Sequence, residues 1–299
     1  MSLPRPGNEQ NEQTAPVSGR ARTVSLPGGT TRYWEYGPAD SDTTIVMVHG
    51  FRGDHHGLEP IVAHLPGLRV VSPDLPGFGA SDPFTGRPHD IDGYATWLGA
   101  FTAAVRGEGR VVVLGHSFGS IVVSAALAAG LDADDVVLVN PIAAPALAGP
   151  RGILTRLAVF YYWAGARLPE RAGFALLRNR VIVRVMSIAM AKTRDRALRR
   201  FIHDQHDRYF SAFADRRVVL DAFRASVGND VSEFAARIPQ PTLLVASDRD
   251  DITPLAAQER LATLFPDATL RVIPGVGHLI HYEAPAAAAR FVRDFLEDR

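Results

Sequence analysis

One stretch, residues 111–120, constrains the fold of this chain more than any other. Val111 to Leu114 are four consecutive apolar residues and predict a strand buried on both faces, whereas the small apolar residues from Ile121 to Ala129 predict a helix packed on a sheet. Between them, Gly115-x-Ser117-x-Gly119 leaves the chain only a few residues in which to reverse from strand to helix. The two glycines leave room for the strand and the helix to cross closely. A serine in such a turn stands exposed at the positive end of the helix, where it can act as a nucleophile, with the Phe118 N–H free to point at an oxyanion.

Strand and helix patterns alternate along most of the chain, which predicts a parallel sheet covered by helices on both faces. The strand patterns are Thr31–Tyr36, Thr44–Val48, Leu68–Ser72, Val111–Leu114, Val136–Asn140, Thr242–Ala246 and Thr269–Ile273. The helical patterns between and after them are Gly57–His64, Tyr94–Val105, Ile121–Ala129, Pro254–Leu264 and Pro285–Leu296.

The alternation stops between about Pro150 and Ile238, where the periodicity is helical throughout. The helices predicted there are Ile153–Trp163, Arg171–Ala191, Asp195–Phe210 and Val218–Val227. An all-helical block inserted between two strands of one sheet is typical of a lid. We therefore expect a disordered leader over residues 1–24, a core domain formed by 25–149 and 239–299, and a helical cap over 150–238.

Composition excludes several classes of protein. The 299 residues carry no net charge, which gives no indication of a nucleic-acid partner, and they include no cysteine, which excludes disulfides and thiolate chemistry. No apolar run approaches the ~20 residues of a membrane span. The polar N-terminus lacks the apolar centre of a signal peptide, so the chain is expected to be cytoplasmic.

Charge is distributed unevenly. Arg151 to Glu233 contain sixteen Lys or Arg against eight Asp or Glu, a net +8. The same block contains four consecutive aromatic residues, Phe160 to Trp163, which would form the core of the lid or a wall of the substrate site. Basic and aromatic residues together are also the mix of an interfacial helix, which suggests weak contact between the cap and a membrane surface.

A serine nucleophile needs a histidine base and an acid that orients this base. In this strand order both should follow the serine, on loops at the carboxyl ends of later strands. Residues 248–251 follow one such strand and contain Asp248, Asp250 and Asp251, any of which could be the acid. The loop after the next strand contains His278, and His281 lies three residues beyond.

Taken together and in this order, the motifs resemble the α/β-hydrolase superfamily, in the branch with a helical cap after the sixth strand. The resemblance covers roughly residues 25–299 and implies an α/β fold with a mostly parallel eight-stranded sheet and Ser117 as the nucleophile. The family's Gly-x-x-Asp-x-x-x-Pro loop falls on residues 247–254, with Ser247 in place of the usual glycine, and implies Asp250 as the acid.

The same resemblance selects the base and the oxyanion donors. The family's Gly-His-x-x-x-x-Glu-x-Pro segment falls on residues 277–285 and implies His278, rather than His281, as the base. The His-Gly loop at residues 49–53 implies that the Phe51 N–H is the second oxyanion donor beside that of Phe118. His55 and His56 near this loop would line the site or be solvated, and a zinc site made of His49, His55 and His56 would also need a carboxylate.

The function implied is that of a serine hydrolase, in particular a carboxylic ester hydrolase acting on a medium-sized apolar ester without metal or organic cofactor. Relatives that hydrolyse epoxides or haloalkanes place an aspartate at the nucleophile position, so Ser117 argues against both. Carbon–carbon bond hydrolases and haloperoxidase-like perhydrolases keep the same triad, although the His-Gly-Phe-Arg-Gly loop lacks the Gly-Pro-Gly run expected of the former. A receptor of this fold that binds a ligand without turnover is the alternative from another class, and the oligomeric state is left open.

Overall fold

The computed structural model describes residues 17–144 and 152–299. Within them, eight strands form one sheet: β1 (Arg20–Leu26), β2 (Gly29–Tyr36), β3 (Thr43–Val48), β4 (Arg69–Pro73), β5 (Arg110–His116), β6 (Asp135–Val139), β7 (Thr242–Ser247) and β8 (Ala268–Ile273). Their order across the sheet is β1-β2-β4-β3-β5-β6-β7-β8. β2 pairs with β1 and β4 in antiparallel fashion, and every other neighbouring pair is parallel.

The helices of the described residues lie between and after these strands. They are α1 (Glu59–Val62), α2 (Ile91–Val105), α3 (Phe118–Ala128), α4 (Gly152–Arg167), α5 (Glu170–Leu177), α6 (Arg180–Met190), α7 (Arg196–Tyr209), α8 (Arg216–Gly228), α9 (Leu255–Ala262), α10 (Ile280–Glu283) and α11 (Pro285–Glu297). None of them combines the length and the hydrophobicity that crossing a membrane requires.

The central strands are buried on both faces, as their continuous apolar runs predict. In β3, Val46 and Val48 pack into the core formed with α2, α3 and α9, whereas Ile45 and Met47 point to the opposite face, where α1 and α11 pack. This alternation follows from the two-residue period of a strand. The fold class predicted from the sequence, a mostly parallel sheet with helices on both faces, is confirmed.

Two local predictions are wrong. Residues 20–24, expected to belong to a disordered leader, form most of β1, which pairs along its whole length with β2; residues 1–16 of that leader lie outside the described residues. The single helix expected over Arg171–Ala191 is two helices, α5 and α6. The break occurs because the Asn179 side chain caps α6, accepting hydrogen bonds from the N–H groups of Val181 and Ile182.

Between β6 and β7 the chain forms α4 to α8 and two short 3-10 turns, which we call the helical insertion (residues 152–238). Its principal attachment to the core is Arg52, a fully buried residue in the loop after β3. The Arg52 guanidinium donates to the carbonyl oxygens of Leu177 at 2.6 Å and Phe210 at 3.1 Å, and to the Tyr162 hydroxyl at 3.2 Å. One core side chain therefore contacts three separate parts of the insertion.

A second attachment lies near the C-terminal end of α6. The Glu283 carboxylate accepts hydrogen bonds from the backbone N–H groups of Lys192, Thr193 and Gly277, at 2.5, 2.8 and 2.9 Å. It thereby joins the loop between α6 and α7 to the loop after β8. A third attachment is backbone to backbone, because the loop around residues 77–79 exchanges hydrogen bonds of 2.7 and 2.8 Å with residues 212–214 of the insertion.

We predict that Arg52→Met lowers the free energy of unfolding by about 2–4 kcal/mol. Each buried polar group that loses its partner costs roughly 1–3 kcal/mol. Part of this cost is offset because the substitution also removes a buried charge. Urea unfolding measures the change, and limited proteolysis should cut the helical insertion first. Arg260→Met, at an exposed arginine of α9, is the control and should leave both measurements unchanged. If the two variants were equally stable, Arg52 would not anchor the insertion.

Candidate active site

Ser117 occupies a strained turn between β5 and α3. Its backbone has φ 53° and ψ −119°, a conformation that residues other than glycine rarely adopt. The crossing is so close that a Cβ atom on Gly119 would lie 2.2 Å from the Val48 carbonyl oxygen, and one on Gly115 would lie 2.5 Å from that of Gly119. Glycine at both positions is therefore a steric requirement of this turn.

The structure brings the three predicted side chains into one hydrogen-bonded chain. His278 Nε2 lies 2.8 Å from Ser117 Oγ, and His278 Nδ1 lies 2.7 Å from Asp250 Oδ2. Because an ionised carboxylate only accepts hydrogen bonds, His278 Nδ1 carries the proton and Nε2 is left to accept the Ser117 hydroxyl. The imidazole and the carboxylate are both buried.

Asp250 is held by its own loop as well as by His278. Its Oδ1 accepts the N–H groups of Ile252 and Thr253 at 2.7 and 3.1 Å, and its Oδ2 accepts the Thr253 hydroxyl at 2.7 Å. Burial works to raise the pKa of Asp250, but the charge and hydrogen bond of His278, with those hydrogen bonds from Thr253, outweigh it and hold the pKa below its usual range. The carboxylate is therefore ionised at neutral pH.

The other two acids of this loop have different partners. Asp248 is exposed, and its Oδ1 accepts the Gly275 N–H at 2.7 Å. Asp251 forms an ion pair with Lys192 of the helical insertion. Of the three acids within four positions, Asp250 is the one that contacts His278.

The two predicted oxyanion donors lie on adjoining loops. Phe118 is the first residue of α3, directly after Ser117, and a Cβ atom on Gly50, the residue before Phe51, would lie 3.3 Å from Ser117 Cβ. Among the hydrogen bonds of the described residues, none is donated by the backbone N–H of Phe51 or Phe118. Both groups are therefore available to a ligand, and their rings pack 6.3 Å apart.

His49 fixes the loop that carries Phe51, a role that the sequence did not suggest. Its Nδ1 donates to the Gly50 carbonyl oxygen at 2.8 Å, and its Nε2 accepts the Leu75 N–H at 2.9 Å. Burial lowers its pKa, so the ring stays neutral and keeps this donor and acceptor pattern. With both nitrogens engaged, His49 is not free to bind zinc, which removes the zinc site considered above.

Two further residues join the loops of the acid and the base. The Ser247 hydroxyl donates to the Gly277 carbonyl oxygen at 2.7 Å, and the Asn140 side-chain amide donates to the carbonyl oxygens of Gly277 and His278 at 3.1 and 3.0 Å. Ser247 is the residue that departs from the family's glycine. Its hydroxyl gives a reason for the departure, because it connects the loop after β7 to the loop after β8.

A cavity of about 210 Å³ opens beside Ser117 and His278. Its lining comes from the core loops and from α6, α7 and α8 of the helical insertion, and includes Met186, Met190 and Phe210 as apolar walls. The lining contains no lysine or arginine among the described residues. The volume is below the ~300–1,000 Å³ of most small-molecule pockets, so the site suits a small, uncharged group.

Histidines supply much of the polarity of this cavity. His281, which the sequence left unassigned, lies with its Nδ1 3.1 Å from His116 Nε2, and both rings are buried. Burial lowers the pKa of His116 to about 3 and that of His206 to about 4, and it lowers the pKa of His281 well below its ordinary value. These three imidazoles are therefore neutral at neutral pH.

His55 and His56 form part of a stack of rings rather than the wall of the cavity. His55 lies between Trp34 and His56, with ring centroids 3.2 and 3.9 Å away, and His56 in turn stacks on Tyr209 at 3.9 Å. Nδ1 of His55 pairs with Asp74, and Nδ1 of His56 pairs with Asp54. Asp54, His55 and His56 have ligand atoms within 4.8 Å of one another, and Nδ1 of each of these two rings is already engaged by a carboxylate.

The aromatic run of α4 divides between the interior and the solvent. Tyr162 is buried and stacks on Phe223 at 3.8 Å, as the expectation of a lid core requires, whereas Phe160 and Trp163 are exposed. None of these residues lines the cavity at Ser117. The alternative that the run forms a wall of the substrate site is therefore wrong.

The chain belongs to the alpha/beta hydrolase family, which it matches over residues 45–291. This result confirms the resemblance inferred from the elbow and the two later loops. A fold of eight strands with an insertion after β6 and a buried Ser-His-Asp chain at the carboxyl edge of the sheet agrees with that membership.

Individual relatives have several activities. The 2-hydroxy-6-oxononadienedioate/2-hydroxy-6-oxononatrienedioate hydrolase 2 of Pseudomonas putida is 28% identical over 278 residues, covering 85% of this chain and 87% of that protein. A malate-bound esterase from Thermogutta terrifontis is similar in structure, with a TM-score of 0.73 at 22% identity over 93% of this chain and 99% of that chain. A bromoperoxidase from Bacillus anthracis has a TM-score of 0.73 at 19% identity, covering 94% of this chain and 100% of that chain. At these identities the two solved structures support the fold alone.

We predict that His281→Asn reduces the loss of folding stability that occurs as the pH is lowered. Because His281 is neutral in the folded protein, the unfolded chain below pH ~6.5 binds a proton that the folded chain does not. The free energy of unfolding therefore decreases as the pH is lowered. Urea unfolding at neutral and mildly acidic pH should show a smaller fall in His281→Asn than in the wild type. An unchanged fall would mean that His281 does not contribute to it.

His56 provides a control of opposite sign. Burial lowers its pKa, but the hydrogen bond and charge of Asp54 outweigh burial and raise the pKa above the ordinary value. Its contribution to stability is present below pH ~6.5 and is lost as the pH rises through the folded-state pKa. His56→Gln should therefore steepen the fall of stability toward acidic pH.

Proposed function

We propose that the protein is a serine hydrolase that cleaves a small, neutral carboxylic ester through an acyl-enzyme. The observation that carries this proposal is the continuous pair of hydrogen bonds, 2.8 Å from Ser117 to His278 and 2.7 Å from His278 to Asp250. A serine hydroxyl is a poor nucleophile until a base takes its proton, and this arrangement supplies the base and fixes its tautomer.

The reaction begins when Ser117 Oγ attacks the ester carbonyl carbon and His278 Nε2 takes the hydroxyl proton. Asp250, ionised and bonded to Nδ1, stabilises the imidazolium that results. The carbonyl oxygen becomes an oxyanion, for which the free N–H groups of Phe51 and Phe118 are the donors. His278 then gives its proton to the leaving alcohol, and water attacks the acyl-enzyme by the same sequence of proton transfers.

The helical insertion acts in this proposal as the cap of the site. Met186 and Met190 of α6 and Phe210 after α7 line the cavity, so the insertion excludes water from the acyl group. The cavity's volume of about 210 Å³ favours short acyl chains, a smaller substrate than the sequence suggested.

Carbon–carbon bond hydrolysis is the second candidate, because the Pseudomonas putida relative carries that type of name and shares 28% identity. Its dienedioate substrate bears two carboxylates. The cavity here has no lysine or arginine in its described lining, and burial keeps His116, His206 and His281 neutral. These features favour the neutral ester, and a direct comparison of turnover on short p-nitrophenyl esters and on a dianionic ring-cleavage product distinguishes the candidates.

We predict that Ser117→Ala reduces kcat for a short p-nitrophenyl ester by roughly 10⁴-fold or more, as in other triads that act as a unit. The variant should also lose labelling by a fluorophosphonate probe while its thermal unfolding stays close to that of the wild type. Retention of a tenth of the wild-type turnover would exclude Ser117 as the nucleophile. Labelling without turnover in the wild type would instead indicate a receptor.

Asp250→Asn and Asp248→Asn form a matched pair in one loop. Asn at position 250 would stabilise the wrong tautomer of His278, so kcat should fall by roughly 10³–10⁴-fold. Asn at position 248 keeps the oxygen that accepts the Gly275 N–H and should change kcat by no more than about threefold. Equal losses would contradict the assignment of Asp250 as the orienting acid.

A further inference from the structure

Exposed apolar side chains concentrate on the helical insertion. Of the eleven large apolar residues exposed in the described part of the chain, nine lie in the insertion and two in the core domain. The nine are Leu157, Val159, Phe160, Trp163, Leu168, Val181, Val185, Ile188 and Phe201. Such a concentration on one part of a molecule marks an interaction surface rather than the scattered exposure of an ordinary surface.

Helix α6 is apolar on two opposite faces. Met186 and Met190 line the cavity at Ser117, whereas Val181, Val185 and Ile188 point outward with 71%, 61% and 48% of their surface exposed. The spacing of the three outward residues, four and then three positions, forms a continuous stripe along the helix. One helix thickness therefore separates this outer stripe from the substrate cavity.

The charges beside this stripe are positive. Arg178 and Arg180 are exposed at the N-terminal end of α6, and the helix itself contains no acidic residue. Arg184 pairs with Asp207 of α7, but Arg180 has no carboxylate partner among the described residues. Arg151 to Glu233 carry a net +8, so the excess extends beyond α6.

We propose that the outer face of α6, formed by Val181, Val185 and Ile188 with Arg178 and Arg180, docks on an anionic lipid bilayer. Apolar residues beside arginines are the composition of a helix that lies at a membrane interface, where headgroup charge attracts the arginines and the acyl region takes the apolar stripe. A second copy of this chain fits less well, because two insertions of net +8 would repel each other. The inference concerns binding and goes beyond the proposed hydrolysis.

Flotation of the full chain with vesicles tests this surface. The vesicles contain either phosphatidylcholine alone or equal parts of phosphatidylcholine and phosphatidylglycerol, at about 0.01 M and about 1 M salt. We expect binding to the anionic vesicles at low salt and at least a fivefold weaker binding at about 1 M salt or to the neutral vesicles. No binding to anionic vesicles at low salt would overturn the proposal.

Two sets of substitutions distinguish α6 from the rest of the surface. Val181→Ser with Val185→Ser and Ile188→Ser, and separately Arg178→Gln with Arg180→Gln, should each weaken partition at least about tenfold. Leu264→Ser and the pair Arg260→Gln with Arg290→Gln alter exposed residues of the core domain and should bind like the wild type.

Three results would refute the assignment to lipid. The first is that the α6 variants bind vesicles as well as the wild type does. The second is that the core-domain controls lose as much binding as the α6 variants lose. Sedimentation could also show that the wild type forms dimers which the apolar α6 variant does not form, and the surface would then belong to a second copy. Because the readouts are binding and mass, they do not depend on whether Ser117 is the nucleophile.

Discussion

The contact of two backbones at Gly119 is the constraint on which the site depends. A side chain there would collide with the end of β3, so α3 could not begin directly after Ser117. The positive φ of Ser117 costs about 1–3 kcal/mol, which the surroundings offset through the bond from the Ser117 N–H to the Val139 carbonyl oxygen and the packing of α3 on the sheet. The same turn that presents the Ser117 hydroxyl leaves the Phe118 N–H free, so the proposed nucleophile and the proposed oxyanion donor both follow from one close approach of two backbones.

Three of the loops that carry candidate site residues are also attached to the helical insertion through a neighbouring residue. Arg52 follows Phe51, Asp251 follows Asp250, and Gly277 precedes His278; these neighbours bond to the insertion directly or through Glu283. The insertion is therefore not a separate lid above a finished site. The position of the insertion and that of these loops depend on shared contacts, so we expect that movement of the insertion as a body would also displace the loops.

The elbow, the alternation of strands and helices and the placement of Asp250 and His278 on loops after two later strands could be predicted because each depends on local spacing or on a motif register. The attachments could not. Arg52 bonds to backbone carbonyl oxygens more than a hundred residues away, and a carbonyl carries no sequence signal. The pairing of His116 with His281 depends likewise on how two distant loops meet. β1 was missed because its residues are mostly exposed, on an antiparallel edge of the sheet, and lack the apolar run that identifies the central strands.

The electrostatics of the cavity explain why so many histidines can surround one base. Burial disfavours a charge on His116, His206 and His281 alike, and a positive charge on His278 lowers the pKa of His116 further. Only His278 among them contacts a carboxylate, so only there is the charge of an imidazolium compensated. In the proposed reaction, a proton that leaves Ser117 therefore has one destination, His278, and the neutral imidazoles around it do not compete for that proton.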